Sequence, residues 1–259
     1  MTTKLYHTID ELTETSLVHA GISLRCGGVS KTPYTSLNLA SHVGDNPDAV
    51  SQNQQLFSDH TGIKTLKYCR QIHSDAVINA DTVATLFWDV ENQNVSEKIG
   101  DALISAQQDE TLGIFTADCV PIFILDVASP AIGIAHAGWR GTLARIAAKT
   151  LAEMKAQFGT IAENCLIHLG PSIQKCCYTV SPDLISQFVR HFGQAVHNGL
   201  NLSLQTANFC QLVDVGVTSE SISISPYCTA CCTDNFYSHR AEGGQTGRMF
   251  SFIQLIHAN

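Results

Sequence analysis

Three short apolar runs lie close together in the middle of the chain, at residues 112–116, 122–126 and 132–135, each closed by turn or polar residues. Runs this brief, apolar at almost every position, predict central strands buried on both faces. Looser alternation predicts a strand over 17–25, and shorter strands follow at 66–69, 76–80, 165–169 and 221–225. Apolar sequence returns at 249–256. The helical period is clearest over 140–158. There Leu143, Ile146, Ala147, Thr150, Leu151, Met154 and Phe158 share one face, and Gly159 stops the helix. Asn46-Pro47 predicts a helix start, with Asn46 as cap and Pro47 as first helical residue. That helix runs to about His60 and stops at Gly62, with Val50 and Phe57 on its buried face. Two more helices are predicted over 182–192, capped by Ser181, and over 206–215. The polar stretch 88–98 predicts a surface loop, and the Gly-rich segment HRAEGGQTGR near the end a second one.

This order of elements contains no internal repeat, low-complexity block or linker. It predicts one α+β domain over residues 1–259, a mixed central sheet with helices packed outside it. At 259 residues with 44% hydrophobic and 15% charged side chains, the chain can bury a large core without covalent staples. The net charge of −8 argues against a general phosphate-backbone binder, while leaving room for a small anion held by local arginines. No apolar run is long enough to span a bilayer. The first residues, MTTKLYHTIDELTE, lack the apolar core of a signal peptide. The expected location is cytoplasmic.

Ten cysteines in such a chain read as reduced thiols, several of them small buried side chains, rather than a secreted disulfide framework. Cys228-x-x-Cys231, followed by Cys232, has the spacing of a zinc knuckle or redox pair, but no second CxxC completes a four-sulfur site. The sharper candidate is His73, Cys119 and His136. Each stands at the edge of a strand-like run, where converging strands can aim all three at one point. Two imidazoles and a thiolate suit zinc, and also copper, and three protein ligands leave an open position. Spacing alone does not separate Cys119 as ligand from Cys119 as nucleophile. With His136 as base, oriented by Asp118 or His73, it forms a cysteine-hydrolase pair.

The blocks RCGGVSKTPYTSLNLASHVGD, RQIHSDAV, GDALIS, FTADCVPIFILD, AHAGWRGT, LGPSIQKCCYTV and HRAEGGQTGR together resemble the YfiH family. It is also called the laccase-domain or polyphenol-oxidoreductase-like family. The match runs in order from about residue 24 to 248, with TADC and HAGWRG its most specific elements. The resemblance implies a layered α/β/β/α fold, similar to the catalytic domain of cytotoxic necrotizing factor. It implies zinc bound by His73, Cys119 and His136, which also become the catalytic residues. It further implies phosphorolysis of adenosine, inosine, guanosine and methylthioadenosine, with adenosine deamination. Phosphorolysis requires a cationic cradle for phosphate. Arg25, Arg140, Arg240 and Arg248 are candidates for substrate binding, with Asn38, His42 and Ser105 as neutral partners. Asp75 and Asp118 are candidates for orienting the histidines, and Trp139 for packing. The chain departs from the family pattern at Ala241, where a second arginine is common, and at Thr179, where a glutamate is common.

The expected protein is therefore a zinc-dependent purine nucleoside phosphorylase with adenosine deaminase activity. Its partners are purine nucleosides and inorganic phosphate, with no nucleic acid and no membrane. Three alternatives stand beside it. One is a copper-dependent polyphenol oxidoreductase, the family's older label. The second is a cysteine hydrolase or cell-wall precursor editing factor using Cys119. The last is a non-catalytic binding protein with structural zinc.

Overall fold

A computed structural model describes residues 4–82, 86–87 and 98–256. In chain order the elements are β1 (Tyr6–Thr8), α1 (Asp10–Thr13), β2 (Val18–Ser23), α2 (Pro47–Thr61), β3 (Thr65–Leu66), β4 (Val77–Asn79), β5 (Leu86–Phe87), β6 (Ala102–Ser105), β7 (Thr111–Thr116), β8 (Val120–Asp126), β9 (Ala131–Ala137), α3 (Trp139–Leu143), α4 (Ile146–Phe158), β10 (Cys165–Leu169), α5 (Pro182–Phe192), β11 (His197–Asn198), β12 (Asn201–Leu202), α6 (Leu204–Asp214), β13 (Ile222–Ile224) and β14 (Met249–Leu255). Two sheets dominate. One has the order β1-β2-β14-β7, the other β13-β10-β8-β9-β6-β4. The larger is mixed, because β10–β13 and β4–β6 are parallel while its other pairs are antiparallel.

The period of two along each strand sorts the core into layers. On β8, Val120, Ile122 and Ile124 face a cluster shared with Ile146, Leu151, Met154 and Phe188 of the helices. Phe123 and Leu125, one residue out of phase, face Leu112, Ile114 and Ile253 of the smaller sheet. Beyond that sheet, Phe115, Phe250 and Phe252 meet Phe57 of α2. The result is helix, sheet, sheet, helix. Of the three runs expected as central strands, β8 and β9 are central and lie between a helical layer and a second sheet; the first, β7, is buried along its length but stands at the end of the smaller sheet's strand order rather than inside a sheet.

Several predicted bounds shift for local reasons. The helix expected over 140–158 is two helices. Arg145 between them takes a left-handed conformation, φ 65°. The Thr142 carbonyl accepts the Arg145 N–H at 3.0 Å and Gln211 Nε2 at 2.9 Å, and Asn208 donates to the Thr142 hydroxyl at 3.0 Å. The strand expected over 66–69 is only β3. The last helix begins at Leu204, because Ser203 Oγ accepts from Thr206 N at 3.1 Å and caps it. β1 and α1 sit in a segment with no periodic signal long enough to read. The expected loop at 88–98 lies, except for its last residue, outside the described residues. Among the described residues no helix is long and apolar enough to cross a membrane.

Ile134 of β9 is fully buried between the sheets. Ile134→Ala should destabilise the fold by about 2–5 kcal/mol, the range for deleting such a side chain from a tightly packed core. Denaturant unfolding checks this. A loss under ~1 kcal/mol would mean that this layer is not close-packed.

Candidate metal centre

Sheet register delivers the three candidate ligands to one end of the larger sheet. β8 pairs with β9 so that Pro121 lies opposite His136 and Val120 opposite Ala137. Cys119, just before β8, therefore stands beside the end of β9. β6 pairs with β9 with Ala102 opposite Ala135. This places Asp101 next to His136, whose backbone N–H donates to the Asp101 carbonyl at 2.7 Å. β4 runs parallel to β6, with Val77 opposite Ala102, so the preceding loop carries His73 to the same end. One donor atom from each of His73, Cys119 and His136 lies within 4.8 Å of the others. The two imidazoles meet edge to face at an interplanar angle of 70°.

The Asp101 carboxylate, completely buried, holds this arrangement. It accepts from the consecutive backbone N–H groups of Ile72 (3.2 Å), His73 (3.0 Å) and Ser74 (2.6 Å), and from the Ser74 hydroxyl (2.7 Å). It also accepts from His136 Nδ1 at 2.8 Å. Burial alone would raise its pKa. The hydrogen bonds from His136 and Ser74 outweigh burial and hold it down at about 2. With Nδ1 engaged, His136 turns Nε2 toward the centre, the carboxylate–histidine support typical of metal ligands. The same carboxylate secures His73, a non-glycine residue at φ 61° that requires outside support to stay there.

The donor set fits a single ion. Two imidazoles and a thiolate are a normal zinc set that leaves a fourth position. The space among them is shaped by Gly138. A Cβ there would stand 2.9 Å from Cys119 Sγ and 3.0 Å from His73 Cδ2, so any side chain would crowd both ligands. His136 is buried, Cys119 half-buried and His73 exposed, so solvent reaches the centre from the His73 side. Without an ion the cluster is an imidazolium–thiolate pair. Burial opposes charge on Cys119, but the His136 charge and hydrogen bonds from both histidines bring its thiol down to about 6. Burial likewise opposes charge on His136, and the Cys119 thiolate with Asp101 raises it to about 9.

Other predicted residues divide into two groups. Near the centre stand Tyr178, Arg140, Arg240 and Arg248. The phenol of Tyr178 is pushed up to about 12 by burial and by the Cys119 and Asp118 charges, with Arg240 and Arg140 opposing. Arg240 lies over the Tyr178 ring, 5.1 Å from its centroid, and donates to the Thr179 carbonyl at 2.8 Å. Arg140 is exposed over Trp139, 4.2 Å from the ring. Among the described residues no carboxylate bridges it. Burial lowers the pKa of Arg248, and the Cys119 and Asp118 charges oppose that. His42 packs edge-on to Phe115. Desolvation of that flank and the Arg248 charge lower its pKa, although the residue as a whole remains open to solvent.

The second group is committed to internal bonds. Arg25 pairs with Glu242 at 2.9 Å and donates to the carbonyls of Thr233 and Thr35. Asn38 is buried and bonds Asp45, Ala40 and the Arg248 N–H. Ser105 donates to Asp81 and Glu110. Neither carboxylate expected to orient the histidines does so. Asp75 pairs with Lys149. Asp118, at φ 89°, accepts from Thr229, Ser238 and the Arg240 N–H, pinning the Gly-rich loop. That orienting role belongs to Asp101, which sequence reasoning missed although GDALIS was one of the blocks it used. An acidic residue just before a buried strand was the available signal. Sequence reasoning also missed Tyr178 as a neighbour of the centre, and a second cluster of four cysteines.

The family model described as "Multi-copper polyphenol oxidoreductase laccase" matches residues 19–256. The chain is 32% identical over 251 residues to "Purine nucleoside phosphorylase YlmD" of Bacillus subtilis (strain 168), covering 93% of this chain and 90% of that one. It is also 32% identical over 233 residues to "Adenosine deaminase RL5" from an unknown prokaryotic organism, covering 86% and 88%. Among solved structures, the Bacillus licheniformis hypothetical protein YfiH superposes with a TM-score of 0.85 at 29% identity, covering 98% of this chain and 97% of that one.

Two outcomes follow from the geometry. Asp101→Asn retains the size but places an NH2 against N–H donors, and should weaken metal binding by about 10–100-fold. Competition with a chromophoric chelator measures this, and unchanged affinity would remove Asp101 from its supporting role. Metal uptake should also depend on pH with a definite sign, because ligands bind deprotonated. Between about 6 and about 9 the ion-free pair retains one proton, on His136. Binding must release that proton, so affinity should rise about tenfold per pH unit across this window and level off above it. Affinity independent of pH there would contradict the imidazolium–thiolate description.

Proposed function

The chain belongs to this laccase-like family, also known as the YfiH family, and we propose that within it the protein is a zinc-dependent purine nucleoside phosphorylase that also deaminates adenosine. The observation that carries the reading is the three-ligand His73–Cys119–His136 centre, open on one side and bordered by Arg140, Arg240, Arg248 and Tyr178. The names of the relatives support the same substrate class.

His73, Cys119 and His136 would hold the ion. When bound, zinc supplies Lewis acidity at the open position. The remaining work falls to side chains. Arg140, Arg240 and Arg248 offer planar guanidinium donors suited to a phosphate dianion. They would hold phosphate beside C1′ of the ribose, so that ribose 1-phosphate and the free base result. Tyr178, with its raised pKa, retains its phenolic proton at neutral pH and is a donor. His42, with its lowered pKa, stays neutral and offers both a donor and an acceptor. The ordering of these groups before substrate arrives limits reorganisation during the reaction.

The copper-oxidase reading requires several imidazoles around neighbouring ions. Among the described residues the second metal-competent group contains cysteines only, which disfavours a multicopper cluster. One observation favours a second reading. Cys119, His136 and Asp101 form a thiol–imidazole–carboxylate series such as a cysteine hydrolase uses. Chelation separates the two, since a thiol hydrolase retains activity without metal.

Incubating the zinc-loaded protein with adenosine, with and without phosphate, tests the proposal. Adenine and ribose 1-phosphate are expected only with phosphate, inosine in its absence, and loss of both activities after chelation. Arg240→Ala should raise the KM for phosphate by about 10–100-fold, the effect of one charge-assisted hydrogen bond. No turnover of any purine nucleoside by metal-loaded protein would refute the proposal.

A further inference from the structure

A second cluster of soft ligands lies outside the centre described above. Cys176 and Cys177 sit in the segment after β10, and Cys228 and Cys231 in the turn after β13. β10 and β13 are parallel, with Leu169 opposite Ile224, so both segments leave the sheet at the same end. Ser172 then bridges Cys228, and Thr229 N donates to the Ser172 carbonyl at 3.1 Å. This pairing brings two sequence-remote cysteine pairs face to face. All four sulfurs lie within 4.8 Å of one another. Cys177 and Cys176 approach Cys231 to 3.3 Å and 3.6 Å.

We propose that Cys176, Cys177, Cys228 and Cys231 bind one structural zinc ion as a tetrathiolate. A tetrahedral ion with Zn–S bonds of about 2.3 Å separates its sulfurs by about 3.8 Å, so the observed spacings need only small adjustments. Four sulfurs this close surround a single ion. An iron–sulfur cluster, with its bridging sulfides, holds its thiolates further apart. The turn around Cys228 is built for a thiolate. Its sulfur accepts the Gln174 N–H at 3.4 Å, and the N–H groups of Ala230 and Cys231 also bond to it. The Cys232 N–H closes the turn onto the Cys228 carbonyl at 2.9 Å. Without a cation Cys176 and Cys177 resist ionisation. Cys177 is pushed up by its bond with Cys231 and by burial, and Cys176 by burial and its sulfur neighbours to about 11.

The ion would act on the first centre by position. Cys177 precedes Tyr178, which lies beneath Arg240. Cys228 precedes Thr229, whose hydroxyl donates to Asp118 at 2.7 Å, the residue before Cys119. A tetrathiolate zinc would tie these two segments together where they border the His73–Cys119–His136 centre. The inference stands on the cysteine geometry alone and is independent of the substrate assignment.

The test uses the full chain purified under reducing conditions. Cys119→Ser, which lacks a ligand of the first centre, should retain about one zinc per chain. Cobalt loaded into it should give the intense ligand-field bands of tetrathiolate coordination. Adding Cys177→Ser and Cys231→Ser should abolish both signals. Should that variant not fold, X-ray absorption at the zinc edge of Cys119→Ser decides, with a first shell of four sulfurs expected. Zinc-free Cys119→Ser, a shell containing nitrogen or oxygen, iron in place of zinc, or a Cys177–Cys231 disulfide persisting under reductant would each overturn the proposal.

Discussion

A single buried carboxylate holds the candidate centre together. Asp101 has no solvent contact and carries a charge that the interior would reject if it were unpaired. Its compensation comes entirely from donors that define the site: three successive backbone N–H groups around His73, the Ser74 hydroxyl and His136 Nδ1. The site's shape and the neutralisation of this charge are thus the same set of bonds. Loss of any donor leaves the carboxylate short of partners, so His73 and His136 are held at fixed positions before an ion arrives.

The layered core gives that carboxylate its place. Because β6, β8 and β9 are buried between a helical layer and a second sheet, a slip of one residue in register would turn every large side chain to the wrong layer. The register that satisfies Ile122, Phe123, Leu125 and Ile134 is the one that aligns Asp101, Cys119 and His136. Packing across the whole sheet therefore sets the geometry of three side chains at its end. Loops supply only what must stay open: His73 on one side, and the arginines and Tyr178 on the other.

Much of this was legible in the residues. The uninterrupted apolar runs carried the central strands, and Asn46-Pro47, Ser181-Pro182, Gly62 and Gly159 marked helix ends by backbone chemistry that acts locally. The three candidate ligands stand at strand edges, a weak signal by itself, and the resemblance of RQIHSDAV, FTADC and AHAGWRGT to the family's blocks is what singled them out. What escaped depended on partners distant in the chain. The break at Arg145 is stabilised by Asn208 and Gln211 of another helix. Asp101 looks like any acidic residue before a strand until its donors, some thirty residues away on either side, are in view. Cys176-Cys177 does not have CxxC spacing, and only the parallel pairing of β10 with β13 brings it to Cys228 and Cys231. Arg25 and Asn38, chosen for their chemistry, are engaged by Glu242 and Asp45, choices that composition does not reveal.

The central claim is that two imidazoles and a sulfur, fixed by one carboxylate, bind an ion with a position left open. Anomalous diffraction at the zinc edge, from crystals grown with zinc and without competing chelator, tests it most directly. The account predicts a peak bonded by His136 Nε2, the Cys119 sulfur and the His73 ring, with Asp101 still on His136 Nδ1. No anomalous density among those three side chains, or an ion coordinated by Asp101 itself, would contradict it.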